Sequence, residues 1–293
     1  MNAKVFRDFD QAGLDFEYNN RQRVPEFEQL YESWVAPCHQ VINDFDTRLG
    51  LTYGTSGREI IDLIQPAGTA PTAVNLYIHG GYWMSRDISD QRFIARPFVE
   101  AGAAFGLIEY DLMPGVRMAD IVDQCRRAVA WVYDNADDLN LDRERIFVSG
   151  HSAGGHLTAM VVATDWVGFC GGPADLVKGG CAISGIYELE PIHLTYMQAT
   201  LELTDEEVRD FSPIRFPETP KTPLLVVPGE SESAEFRRQS REFVDDWNAK
   251  DGNCTYLEAP GCNHFTILPN FADPTRPFTP PTLAQIALDS GVA

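Results

Sequence analysis

The stretch that most constrains this chain runs from Ile146-Phe147-Val148-Ser149 straight into Gly150-His151-Ser152-Ala153-Gly154-Gly155. A short run of buried-type residues meets a tight turn flanked by glycines. A small, apolar helical segment follows at once, over 155–163. The order is strand, turn, helix, with a serine at the apex. Glycine suits the flanks because such a turn is strained and a Cβ would block neighbouring elements. Ser152 then stands at the start of a helix, at the carboxyl edge of a sheet, where the dipole and free N–H groups favour negative charge. The bare G-x-S-x-G pattern is weak. The strand before it and the helix after it give it meaning.

The rest of the chain alternates in the same way. Strands are expected at 51–53, 59–64, 73–78, 104–110, 145–149, 180–184, 224–227 and 255–259. Helices are expected at 89–101, 119–135, 234–250 and 282–288, and 26–42 has partial helical periodicity. In 119–135, Val122, Cys125, Val129 and Val132 recur at helical spacing among charged neighbours. Alternation of this kind predicts an α/β fold, a mostly parallel sheet with helices on both faces. The expected organisation is one domain over 1–293, with an N-terminal arm at 1–45. The segment 186–217 breaks the rhythm and reads as a lid or insertion.

Composition narrows the partners. Hydrophobic residues make up 44% of the chain, enough for a large core. The formal net charge of -20 disfavours nucleic acid and anionic membrane surfaces. No apolar run approaches the roughly 18 residues of a membrane span. Six cysteines without a C-x-x-C pair read as reduced thiols of a cytoplasmic protein. No metal-ligand spacing or phosphate loop is present, so no cofactor is expected. The sequence leaves room for a homodimer.

Two further elements fit the serine turn. His79-Gly80-Gly81-Tyr82-Trp83 follows a strand, and acyl transfer needs N–H donors where an oxyanion develops. The amides of Gly80, Gly81 and Ala153 are the candidate donors. A base follows both serine and acid in this kind of fold. Beyond the helix that follows the turn only His193 and His264 remain, and His193 precedes the strand that should carry the acid. His264, in the loop after the last strand, is the candidate base. His156 reads as a hydrogen-bonded packing residue, His79 as a buttress of the glycine loop, and His151 as the variable residue of the turn. The strand at 224–227 runs into Pro228-Gly229-Glu230-Ser231-Glu232-Ser233. The acid in such a loop usually sits three residues after the Gly, which selects Glu232, with Glu230 as its competitor. Tyr82, Trp83 and Tyr196 are candidate contacts for an aromatic substrate, although aromatic residues more often fill cores.

Together these residues resemble the kynurenine formamidase (arylformamidase) branch of the α/β-hydrolase superfamily, related to hormone-sensitive-lipase-type esterases. The likeness rests on Glu17-Tyr18-Asn19-Asn20-Arg21 through Val24-Pro25, HGGYW at 79–83, GHSAGGHL at 150–157, and Ser184 to Pro191. It continues through 201–213, 234–240 and Asn263-His264-Phe265. The resemblance implies a serine hydrolase of an aryl formamide or amide, with carboxylesterase of small or aromatic esters or carbamates as the alternative. A non-catalytic ligand receptor on the same scaffold is a remote third. The chain departs from the family at one site, with Glu232 where the family places an Asp.

Overall fold

The computed structural model describes residues 3–287. Eight strands among them form one sheet: β1 (Asp46–Thr52), β2 (Ile60–Gln65), β3 (Thr72–Ile78), β4 (Ala104–Ile108), β5 (Leu141–His151), β6 (Val177–Ile183), β7 (Leu224–Val227) and β8 (Cys254–Tyr256). Their spatial order is β8-β7-β6-β5-β3-β4-β2-β1. The pairs β1–β2 and β2–β4 are antiparallel, and every other pair is parallel. The mostly parallel sheet expected from the alternation is therefore present. A two-strand ribbon, Lys4–Phe6 with Phe9–Asp10, precedes it.

Because side chains alternate along a strand, each central strand feeds two cores. Val74, Leu76 and Ile78 of β3 enter one, and Ala73 and Tyr77 enter the other. The first core is covered by α3 (Met118–Asp134), α4 (Ala153–Val162) and α5 (Ala234–Ala249), through residues such as Val122, Leu157 and Phe243. The second is covered by α2 (Phe27–Asp44) and α6 (Thr279–Ala287), through Trp34 and Ile286. In α3 the expected stripe, Val122, Cys125, Val129 and Val132, is buried. Each large aliphatic so buried contributes roughly 1.5–3 kcal/mol. The remaining named helix, α1 (Gln11–Tyr18), sends Leu14 and Tyr18 into the first core.

Some expectations need correction. The helix expected at 89–101 is two 3-10 turns, Ile88–Asp90 and Arg92–Ala95, and one short α-helix, Arg96–Glu100. Pro97 lacks an N–H and favours a helix start at that point, so no continuous helix runs through it. The strand expected at 255–259 pairs only over Cys254–Tyr256, and Ala259 returns as an isolated bridge to Gly229. The helix Trp166–Cys170 was not expected. The segment 186–217 stands between β6 and β7 as three short helices, Glu190–His193, Gln198–Leu201 and Asp205–Asp210, and a 3-10 turn, Pro213–Arg215. Position 288 of the expected terminal helix lies outside the described residues. All six cysteines are free thiols, with Cys170 exposed. No described helix is long and apolar enough to cross a membrane.

Candidate active site

The site lies at the carboxyl ends of β3, β5, β7 and β8. Ser152 joins β5 to α4 with φ 58° and ψ -118°, a backbone conformation rare for a residue with a side chain. The flanking glycines make this turn passable. A Cβ on Gly150 would lie 2.3 Å from the Gly154 carbonyl oxygen, and one on Gly154 would lie 1.9 Å from that of Ile78. The Ser152 amide is tied to the Ile183 carbonyl at 2.8 Å, which locks the turn to β6. The serine side chain does not cap α4, so its hydroxyl is left for other work.

That hydroxyl lies 3.0 Å from His264 Nε2. The other ring nitrogen, Nδ1, lies 2.6 Å from Glu232 Oε1. Glu232 Oε2 accepts the Gly229 amide at 3.0 Å. A carboxylate facing Nδ1 holds the proton there and leaves the Nε2 lone pair to accept the serine O–H. His264 and Glu232 are both buried. Glu230, the competitor, is exposed and instead accepts the Gly261 amide at 2.7 Å, bracing the histidine loop from outside. His193 stands apart, 3.7 Å from Asp205 on the insertion.

Apart from the Glu232 carboxylate, the rings packed on His264 are apolar or neutral. Its ring packs 4.7 Å from that of Phe236 and 4.6 Å from that of His151. Burial, and then the proximity of His264, hold the His151 imidazole well below the usual histidine range. His151 therefore stays uncharged and does not compete for the proton His264 would take.

The candidate oxyanion donors flank the serine. A Cβ on Gly80 would lie 2.8 Å from the His151 carbonyl oxygen and 3.0 Å from Ser152 Cβ, so the glycine loop packs directly on the serine turn. Gly81 has φ +111°, and a Cβ there would meet the Ser85 carbonyl oxygen at 2.1 Å. Among the described residues the Gly80 and Gly81 amides find no acceptor. Ala153 opens α4, so its amide has no partner within the helix.

A cavity of about 340 Å³ opens on Ser152 and His264. Tyr82 and Tyr196 line it. Tyr82 is held by its hydroxyl, which donates to the Tyr18 carbonyl at 2.7 Å and accepts from Asn20 at 3.3 Å. Tyr196 is 48% exposed, and its amide binds Asp15 of α1 at 2.8 Å, joining arm to insertion. Trp83 does not line the cavity. Tyr82 and Trp83 both have positive φ, at 51° and 58°, and the indole is fully buried in the first core. Its N–H donates to His156 Nδ1 at 3.2 Å. The sequence reading missed the arm residues Tyr18 and Arg21, together with Tyr31, Arg86 and Phe265. Of these Phe265 stands beside His264 in the histidine loop, and Tyr18 and Arg21 lie in the segment 17–21 that carries the family likeness, whereas Tyr31 and Arg86 had no signal. No lining residue is a carboxylate. Among the described residues no His, Cys, Asp and Glu cluster has the grouping of a metal site.

His156 links Trp83 to the insertion, since its Nε2 donates to the Phe211 carbonyl at 2.8 Å. Burial pushes its pKa from 6.5 down to about 4, against the pull of that carbonyl. Protonation therefore favours the unfolded chain. The contribution is intact above pH 6.5 and is lost as pH falls towards 4, to a total of roughly 3 kcal/mol. Urea unfolding is expected to show a loss of about 2 kcal/mol from this group between pH 7 and 5, and His156→Gln should remove that part of the slope. An unchanged slope in the variant would contradict the assignment.

Comparisons with known proteins bear on what such a site does. The family model described as BD-FAE matches residues 61–168, and that of the prolyl oligopeptidase family matches residues 118–273. The chain is 31% identical to a kynurenine formamidase of Danio rerio over 233 residues, 78% of each chain. It is 26% identical to one of Drosophila melanogaster, over 82% of this chain and 83% of that one. A putative thioesterase from a Silicibacter species superposes with a TM-score of 0.80 at 27% identity, covering 94% of this chain and 98% of that one. A thermostable carboxylesterase from a metagenomic library superposes with a TM-score of 0.70 at 22% identity, over 92% and 98% of the two chains, and shares the fold.

Proposed function

Because the chain belongs to the kynurenine formamidase branch of the α/β-hydrolase superfamily, we propose that it cleaves the formyl group from an aryl formamide, N-formylkynurenine or a close relative, through an acyl-enzyme. At the coarser level it is a hydrolase of aryl formamide or ester type. The observation that carries the finer reading is the continuous hydrogen-bonded line Glu232–His264–Ser152 beside two unpartnered glycine amides.

In this reading Ser152 Oγ attacks the formyl carbon while its proton passes to His264 Nε2. The carbonyl oxygen becomes an oxyanion facing the amides of Gly80, Gly81 and Ala153. Losing one such donor costs roughly 3–4 kcal/mol of barrier. The tetrahedral adduct collapses, the C–N bond breaks, and the imidazolium gives its proton to the departing aniline nitrogen. Water then attacks the formyl ester, again losing its proton to His264, and formate leaves as Ser152 recovers its hydrogen. Glu232 stays ionised throughout and holds Nδ1–H. No cofactor takes part.

The cavity supports an aromatic substrate that also carries an anion. Tyr18, Tyr31, Tyr82 and Tyr196 offer aromatic faces and edges. Arg21 and Arg86 are the cations, in a chain with 43 acidic and 23 basic residues and in a cavity with no carboxylate of its own. Arg86 lies 3.5 Å above the Tyr31 ring and 3.4 Å from Asp90. Arg21 has no ion-pair partner among the described residues and is the better-placed anchor for a substrate carboxylate.

Three substrates test this. The expected order of kcat/KM is N-formylkynurenine, then neutral formanilide, with phenyl acetate no better than the formanilide. Arg21→Met should raise KM for N-formylkynurenine about tenfold, the value of one charge-assisted hydrogen bond, and leave formanilide within about twofold. Turnover of the phenyl ester alone would replace the formamidase reading with a carboxylesterase.

A further inference from the structure

Behind the glycine loop lies a buried polar cluster that the reaction scheme does not use. His79 is fully buried at the end of β3. Its Nδ1 lies 2.7 Å from the carbonyl oxygen of Gly80, and its Nε2 lies 3.0 Å from Glu109 Oε1. A carbonyl and a carboxylate are both acceptors. A neutral imidazole has one N–H, so it satisfies one of them and turns a lone pair on the other. An imidazolium satisfies both.

The alternative is a protonated Glu109, and its surroundings speak against that. Oε1 also accepts from Arg58 Nη2 and from the Tyr110 amide at 3.1 Å, and Oε2 accepts the Ile88 amide at 3.0 Å. Every partner of this carboxyl is a donor, and the oxygen facing His79 already holds two others. Glu109 is therefore ionised. The groups facing His79 are Glu109 across from it, Arg58 beyond that carboxylate, Asp87 and Asp90 on the following segment, and Tyr110. The Tyr110 ring stacks on the imidazole at 4.2 Å and 7°, an arrangement that favours a cation.

We propose that His79 is a doubly protonated positioning residue, held by Glu109, that sets the direction of the oxyanion donors. This rests on the reading of Gly80 and Gly81 given under Proposed function. The argument is geometric. In a trans peptide the C=O and N–H point in opposite directions, and neither peptide here is cis. The His79 carbonyl is held by the Tyr110 hydroxyl at 2.9 Å, which turns the Gly80 N–H the other way. The Gly80 carbonyl is pulled back onto His79 Nδ1, which turns the Gly81 N–H away from the cluster. A charge-assisted bond to that carbonyl also polarises the same peptide and strengthens its N–H as a donor. Arg58 ties in the far end of the loop, donating to the Arg86 carbonyl at 2.7 Å. His79 touches no substrate and acts through the Gly80–Gly81 peptide.

The direct test is long-range ¹H–¹⁵N correlation of the ring nitrogens in the native, ¹⁵N-histidine-labelled protein at the pH of maximal activity. Signals are assigned by their loss in His79→Asn, or, if that variant does not fold, by their displacement in Tyr110→Phe, which keeps the stacked ring. The expected result is two pyrrole-type nitrogens on His79. One pyridine-type nitrogen overturns the proposal. A second readout uses the split of kinetic constants. His79→Asn should lower kcat about 10²-fold with KM within about threefold, and weaken a boronate that mimics the tetrahedral adduct by the same factor. A raised KM with unchanged kcat overturns the positioning role. The nitrogen signature does not depend on the substrate, so a failure of the formamidase reading leaves it standing and is told apart from a failure here.

Discussion

Replacing Ser152 with Ala is expected to lower kcat by about 10⁶-fold, with the folded state unharmed. The expectation comes from where the hydroxyl sits. It makes no cap to α4, and its one side-chain partner is His264 Nε2. Deleting it removes the proposed attacking atom and nothing that holds the turn together. The turn is held by the Ser152 amide on Ile183 and by glycines at 150 and 154, where side chains would collide. Alanine at φ 58° is strained, but so is serine. Thermal unfolding should therefore stay within a few degrees, and KM should change little, because the cavity walls remain. A variant with a large residual rate and an unchanged fold would mean that another group attacks.

The second large effect separates the two glutamates. Glu232→Gln is expected to cost about 10⁴-fold in kcat, and Glu230→Gln less than about threefold. The reason is the Gly229 amide, which donates to Glu232 Oε2 at 3.0 Å. In the amide variant the carbonyl oxygen goes to that donor, and the NH₂ then faces His264 Nδ1. Two donors cannot face each other. The ring proton moves to Nε2, where it blocks acceptance of the serine proton. The loss is in kcat rather than KM, since neither change touches the cavity wall that would hold the ring. Glu230 makes one exposed contact, to the Gly261 amide, which a glutamine oxygen reproduces. Steady-state kinetics of the two variants decide between them, and the reverse pattern would move the role of acid to Glu230.

How far the sequence carried this site follows from what each residue's role depends on. Ser152 was legible because its geometry is local, a strand and a helix joined by glycines within a few residues. His264 and Glu232 were legible because chain order along a parallel sheet places the ends of β7 and β8 beside the end of β5. Choosing Glu232 over Glu230 from the sequence relied on counting from Gly229. The structure shows what that spacing does: it folds the longer arm back onto the Gly229 amide and brings Oε1 within 2.6 Å of the ring.

The misreadings have equally specific causes. Trp83 sits in a motif next to the serine in space, but two consecutive left-handed residues turn its indole into the core. Nothing in the letters Tyr-Trp marks that reversal. Tyr18 and Arg21 reach the cavity from an arm more than a hundred residues before Ser152, placed by long-range bonds such as the one between Gln239 and the Tyr18 hydroxyl at 2.7 Å. Glu109 reads in the sequence as an ordinary charged residue near the end of the strand expected at 104–110, which in the structure stops at Ile108. Its burial becomes visible only once Arg58 and His79 are brought around it.

The most direct measurement of the central claim is covalent labelling of the native protein with a fluorophosphonate, followed by intact-mass and peptide-mass analysis. A single adduct is predicted, on the peptide containing Ser152, absent in Ser152→Ala and strongly slowed in His264→Ala. An unmodified mass under conditions that label a known serine hydrolase, or an adduct on any other residue, would contradict it.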